Sequence, residues 1–145
     1  MDAGCAAGSI ALCVFRDVIY LLDTHTFLWI LNTPEILPAQ IQSIYQDRSA
    51  TLLISIATPW EMAIKAANGK LDAADILDDF DAAATRGRFT VIDTSVRQAI
   101  RSARLPFHNK DPFDRLLAAQ ALDLSVPLLS RDPVFDFYGV QRIWD

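Results

Sequence analysis

The stretch VIYLLDTHTFLWI, residues 18–30, joins a β-branched and aromatic apolar run to a helix start through one aspartate. The run VIYLL, residues 18–22, has no alternating polar positions. It therefore predicts a strand buried on both faces, the kind found in parallel sheets. Asp23 ends the run, and Asp23 or Thr24 can cap a helix over residues 24–31. Pro34 and Pro38 punctuate the exit. A second helix is predicted over residues 38–46, with Ile41 and Ile44 or Tyr45 on one face.

The same unit recurs downstream. TLLISI, residues 51–56, predicts a second buried strand. Thr58-Pro59-Trp60-Glu61 follows, with Thr as N-cap, Pro at the first helical position and Glu two further on. That helix is expected to run to about residue 67 and to stop at Asn68-Gly69. Residues 73–85 predict one amphipathic helix, and residues 89–92 a short strand. Asp93-Thr94-Ser95 caps a helix over residues 96–103. Asp111-Pro112-Phe113-Asp114 opens another over residues 113–124. Residues 126–129 predict a strand, closed by Ser130-Arg131-Asp132-Pro133, and the apolar tail over residues 140–144 suits an edge strand. Strands alternating with helices predict an α/β fold with a central parallel sheet flanked by helices.

The bulk composition agrees. The chain is 52% hydrophobic and 21% charged, enough apolar material for one packed core and too much for global disorder. No apolar run approaches the roughly 18 residues of a membrane helix. The net charge of −5 argues against a broad basic face wrapped around nucleic acid. Cys5 and Cys13 stand without a partner His or a further Cys, so they form neither a zinc site nor a disulfide framework and read as reduced thiols in the cytoplasm. Residues 1–17 are rich in Ala, Gly and Cys and lack the basic region of a signal peptide. They are expected to form a poorly ordered extension before a domain over residues 18–145. A later translation start, for instance at Val18, would account for them; N-terminal sequencing of the native protein tests this, and finding Met1 or Asp2 would sink it.

Four acids share one kind of position. Asp23 follows the first strand, Glu61 lies just past the second, Asp114 opens the helix before residues 126–129, and Asp132 follows that strand. In an open parallel sheet the ligand crevice lies beyond the carboxyl ends of the strands. Carboxylates meeting there repel one another unless a cation neutralises them, and hard oxygen ligands suit Mg²⁺ or Mn²⁺. Every one of these acids also sits at a helix N-terminus, where capping and the helix dipole favour Asp and Glu without any metal. Spacing by itself leaves both readings open.

Residues 21–29, LLDTHTFLW, resemble the opening signature of the PIN domain, in the group of VapC-type toxins that begin with Asp-Thr-His. SIATPWEMAIKAANGKL (residues 55–71), HNKDPFDRLLAAQA (108–121) and PLLSRDPVFDFYGVQRIW (127–144) are similar to that group's later blocks, in the same order. The resemblance covers nearly all of residues 18–145. The 17-residue extension departs from it, because such toxins open almost at the first strand.

The resemblance implies a PIN-like fold and a metal-dependent endoribonuclease, the toxin of a type II toxin–antitoxin pair. It implies Mg²⁺, with Mn²⁺ as an alternative, on Asp23, Glu61, Asp114 and Asp132, and it makes Asp111 a candidate auxiliary acid. Thr24 and Ser130 match small hydroxyl positions that help orient such a site. A cognate antitoxin, an RNA substrate and a toxin homodimer are implied as partners, with no membrane. Apolar stretches near residues 41–45 and 76–80 are candidate interfaces. The hydrolysis expected is attack by water in line with the leaving group, giving a 5′-phosphate and a 3′-hydroxyl.

Arg115 and Arg131 lead the candidates for gripping phosphate, ahead of Arg86, Arg88, Arg104 and Lys110. His25 and His108 could touch substrate, and Trp29, Trp60 and Trp144 could stack on bases, though aromatics at such spacings are more often core. Two rivals remain at this level. A haloacid-dehalogenase-like phosphatase would use Asp23 as nucleophile, but the second Asp two residues later is absent. A PIN-like module could bind RNA or a partner without cutting.

Overall fold

A computed structural model describes residues 18–145, so the expected extension lies outside the described residues. Five strands form one parallel sheet: β1 (Ile19–Leu22), β2 (Thr51–Ser55), β3 (Phe89–Ile92), β4 (Leu128–Leu129) and β5 (Arg142–Ile143), in the order β3-β2-β1-β4-β5. Helices join them: α1 (Thr24–Asn32), α2 (Ala39–Gln46), α3 (Ala57–Ala67), α4 (Ala74–Leu77), α5 (Phe80–Arg86), α6 (Val96–Arg104), α7 (Pro112–Leu124) and α8 (Val134–Phe137). The expected α/β architecture is the observed one.

The register explains the apolar runs at the centre of the sheet. Leu21 pairs with Leu53 and Leu128, while Leu22 pairs with Ile54 and Leu129. Alternate residues of a strand face opposite ways. Leu22, Ile54 and Leu129 therefore pack with Phe27, Ile30, Ile41 and Met62 on one face. Leu21, Leu53 and Leu128 pack with Leu117, Ala118, Ala121 and Phe135 on the other. Each face of the central strands is covered by helices, so the residues facing them there are apolar.

Local differences have local causes. The single helix expected over residues 73–85 is two, because the Asp79 side chain accepts from Ala82 N and starts α5 afresh. β4 is shorter than residues 126–129, because Val126 N bonds Ala121 O and so belongs to the end of α7. The apolar stretches proposed as dimer faces are largely used inside the chain: Ile41 is fully buried, and Ile76, Leu77 and Phe80 pack against the same core. No helix among the described residues is long and apolar enough to cross a membrane.

Candidate active site

The chain runs outward from β1 through β2 to β3, then returns to place β4 on the other side of β1. The direction of winding thus reverses between β1 and β4, and a crevice opens at their carboxyl ends. Asp23 leaves β1 there, and Ser130 and Asp132 follow β4.

Asp23 is 6% exposed and caps α1. Its Oδ1 accepts from Thr26 N at 2.9 Å, and its Oδ2 accepts from the Ser130 hydroxyl across the crevice. Burial pushes its carboxyl above the usual range, and the hydrogen bonds from Ser130 and Thr26 only partly counter this. Ser130 Oγ also accepts from Asp132 N at 3.0 Å, so one hydroxyl links the Asp23 side chain to the Asp132 backbone.

Glu61, 5% exposed, lies on α3. The capping box expected from Thr58 and Glu61 does not form. α3 starts earlier, with Ile56 at its N-cap, and Thr58 lies inside it. Glu61 Oε1 instead accepts from the Thr24 hydroxyl at 2.7 Å, and Thr24 Oγ1 lies 3.2 Å from Thr58 Oγ1. Glu61 Oε2 is paired with Lys65 Nζ at 2.7 Å. Lys65 was not among the sequence candidates, although the i,i+4 spacing from Glu61 marks such a pair. Its hydrogen bond to Glu61, and then the charges of Glu61, Asp111 and Asp114, hold its ammonium above its ordinary pKa against the effect of burial.

Asp114 gathers the acids. Its pKa is pushed up to about 7 by burial, then by the charges of Asp111, Glu61, Asp132 and Asp23. All the acids named from the sequence are therefore within electrostatic reach of one carboxyl group. Asp111 is the N-cap of α7, its Oδ1 accepting from Phe113 N and Asp114 N. Asn109 Nδ2 donates to Asp114 Oδ2 at 3.0 Å, and Asn109 Oδ1 accepts from the Tyr138 hydroxyl. Neither Asn109 nor Tyr138 was singled out from the sequence: Tyr138 is distant in the chain, and the contact of Asn109 with Asp114 spans a loop of no regular periodicity.

Arg115 requires a correction. It is 4% exposed, and its guanidinium donates to the carbonyls of Pro106, Leu105 and Ala103 and to the Tyr138 hydroxyl. A cation with its donors so engaged cannot grip phosphate; it fixes the loop that carries Asn109. Arg131 is exposed at the crevice beside Asp132. Arg88 turns away, over the Tyr45 ring with its Nη2 on Tyr45 O. His108 stacks on Phe137 and meets Tyr138 edge-on, whereas exposed His25 lies along the crevice near Trp29.

Among the described residues, no three His, Cys, Asp or Glu side chains are grouped tightly enough to hold a metal ion as they stand. The chemistry of the donor set nonetheless suits one. The converging groups are all hard carboxylate oxygens, and burial and then the surrounding negative charges push the Asp114 carboxyl up to about 7. At present Lys65 and Asn109 engage two of the carboxylates.

An open parallel α/β sheet with acids gathered at its winding reversal places hard oxygen groups where such sheets bind their ligands. Residues 20–140 match the PIN domain family, and the chain belongs to it. PIN domains are generally nucleases. No curated protein matches by sequence. Among solved structures, the chain is similar to VapBC2 from Rickettsia felis bound to a DNA fragment from their promoter, at 18% identity and TM-score 0.63, covering 88% of this chain and 100% of that one. It is similar to VapBC-1 from nontypeable Haemophilus influenzae, at 18% identity and TM-score 0.62, covering 87% and 97%. FitAcB from Neisseria gonorrhoeae matches at 17% identity and TM-score 0.55, covering 86% and 96%. At such identities the likeness concerns the fold.

Proposed function

We propose that residues 18–145 form a divalent-metal-dependent endoribonuclease, the VapC-type toxin of a toxin–antitoxin pair, of the group that opens with Asp-Thr-His. The observation that carries this reading is the coupling of Asp114 to Asp111, Glu61, Asp132 and Asp23 at the carboxyl end of the sheet. Asp23, Glu61, Asp114 and Asp132 would hold Mg²⁺ or Mn²⁺, with Asp111 contributing charge from the α7 cap. Bound there, such an ion supplies charge neutralisation at a scissile phosphate and makes water more acidic.

The chain's own groups prepare the site. The Ser130 hydroxyl and Thr26 N fix the Asp23 carboxylate in one orientation. The Thr24 hydroxyl fixes Glu61. Asn109, held by Tyr138, fixes Asp114. Lys65 keeps the charge of Glu61 balanced in the metal-free chain. A cognate antitoxin, RNA as substrate, a homodimer and a cytoplasmic location complete the proposal. The toxin-component likenesses support the antitoxin partner.

The test is cleavage of a structured RNA pool by the purified chain with Mg²⁺, with Mn²⁺ and with EDTA, beside Asp23→Ala. Cutting that needs metal and vanishes in the variant is expected. Undiminished cutting by Asp23→Ala would refute the site. Folded protein that binds RNA and never cuts would favour a binding module.

A further inference from the structure

Glu61 is the acid of the cluster whose two oxygens are both taken by other side chains. The Thr24 hydroxyl donates to Oε1 at 2.7 Å, and Lys65 Nζ is 2.7 Å from Oε2. Among the described residues, no second lysine or arginine forms an ion pair with Asp23, Glu61, Asp111, Asp114 or Asp132. The charges of Asp111 and Asp114 also act on the Lys65 ammonium. A single monovalent cation, supplied by the chain itself, therefore stands against the whole group of acids.

The two partners differ in their freedom. The Glu61 side chain is 7% exposed and that of Lys65 is 41% exposed. Glu61 is fixed by burial and by Thr24. Lys65 lies one turn further along, in the last turn of α3, where the helix dipole favours a cation. Its flexible stem lets the ammonium swing out into water while the backbone stays in place. Departure is costly when it leaves the buried Glu61 carboxylate unpaired. A divalent ion on Glu61 removes that cost, because it supplies the missing charge. It also drives the departure, because an ammonium and a divalent ion on one carboxylate repel each other across a few ångströms.

We propose that Lys65 is a built-in competitor for the divalent cation. It balances Glu61 in the metal-free chain, and binding of a divalent ion is an exchange that expels its ammonium to solvent. The proposal rests on the metal reading of the acid cluster. It makes cation binding weaker than the acids by themselves would give, and it makes Lys65 the residue that sets how much free cation the chain needs.

The experiment titrates Mn²⁺ alone into the full chain by calorimetry, with no RNA present. Lys65→Met keeps the length of the stem and removes the charge. It is expected to bind Mn²⁺ about ten-fold more tightly than the parent chain. Its metal-free Tm should fall, and its rise in Tm on saturation with Mn²⁺ should exceed that of the parent. Lys65→Gln, neutral and polar, should behave like Lys65→Met, and Lys65→Arg should keep the parent affinity. Lys70→Met is the charge-matched control, since exposed Lys70 forms no ion pair among the described residues. It should leave the affinity within about two-fold of the parent.

Asp23→Ala in the same titration separates this proposal from the reading beneath it. Where Asp23→Ala abolishes Mn²⁺ binding, yet Lys65→Met and Lys65→Gln bind no more tightly than the parent, the metal site stands and the exchange falls. A gain in Lys65→Met that Lys70→Met or Lys65→Arg matches would overturn the exchange too. Mn²⁺ binding that is indifferent to Asp23, or absent from every variant, would remove the metal reading and the exchange with it.

Discussion

At the scale of single residues, Asp114 concentrates the electrostatics of the site. Burial and like charge both favour its protonated form, and its pKa stands near 7 rather than at the ordinary 3.8. A carboxyl whose folded pKa is raised contributes stability that is present below its ordinary pKa and lost as pH rises through the folded value. The metal-free chain is therefore expected to lose stability from this group between about pH 4 and pH 7, measured by urea unfolding across that range. Cation binding should strengthen over the upper part of the same window and release a proton as it does. Asp111→Asn keeps a capping side chain on α7 and removes a like charge that raises the Asp114 pKa. Its expected effect is a lower titration midpoint for Asp114, followed by the carboxyl-carbon NMR signal. A midpoint that stays in place would mean that burial acts without help from its neighbour.

At the scale of elements, the end of α7 sets where β4 begins. Ser125 closes the helix in the left-handed region, at φ 55° and ψ 45°, with its N–H on Ala121 O and Leu122 O. A side chain there costs about 1 kcal/mol that glycine avoids. Ser125→Gly is expected to stabilise the chain by about 1 kcal/mol, seen as a higher urea midpoint with unchanged slope. No gain would mean that the serine is held by something other than its backbone. The start of α3 carries a different lesson. Thr58, Pro59 and Glu61 have the spacing of a capping box, yet α3 begins at Ala57 without a side-chain cap. Thr24 and Lys65 take up the Glu61 carboxylate instead. Spacing identified the glutamate and the helix; the use to which the glutamate is put depends on α1, far away in the chain.

At the scale of the molecule, the proposed metal is linked to the fold. A ligand that binds only the native state at a concentration of 100 times its Kd stabilises by about 2.7 kcal/mol. Mg²⁺ or Mn²⁺ is therefore expected to raise Tm by several degrees, and Asp23→Ala should lose that increment whatever its own Tm. An equal increment in the variant would place the ion elsewhere. The net charge of −5 also bears on RNA binding. With Arg115 engaged internally and Arg142 paired, few cations face a substrate, so affinity should vary only shallowly with salt.

The sequence by itself determined the parallel sheet, because continuous apolar runs such as residues 18–22 and 51–56 require cover on both faces. It also determined that Asp23 and Asp132 leave the carboxyl ends of strands, since that follows from strand limits. Helix caps were legible where the interaction is local, as at Ser95 and Asp111. Tertiary structure alone decided that the acids come within electrostatic reach of one another, that Arg115 is a buried brace rather than a phosphate grip, and that Tyr138 holds Asn109 against Asp114. It alone brought the rings of Trp29 and Trp144 together. The reason is physical: desolvation, Coulomb coupling and ring contacts depend on distance through space, and the strand order, not the chain order, sets those distances.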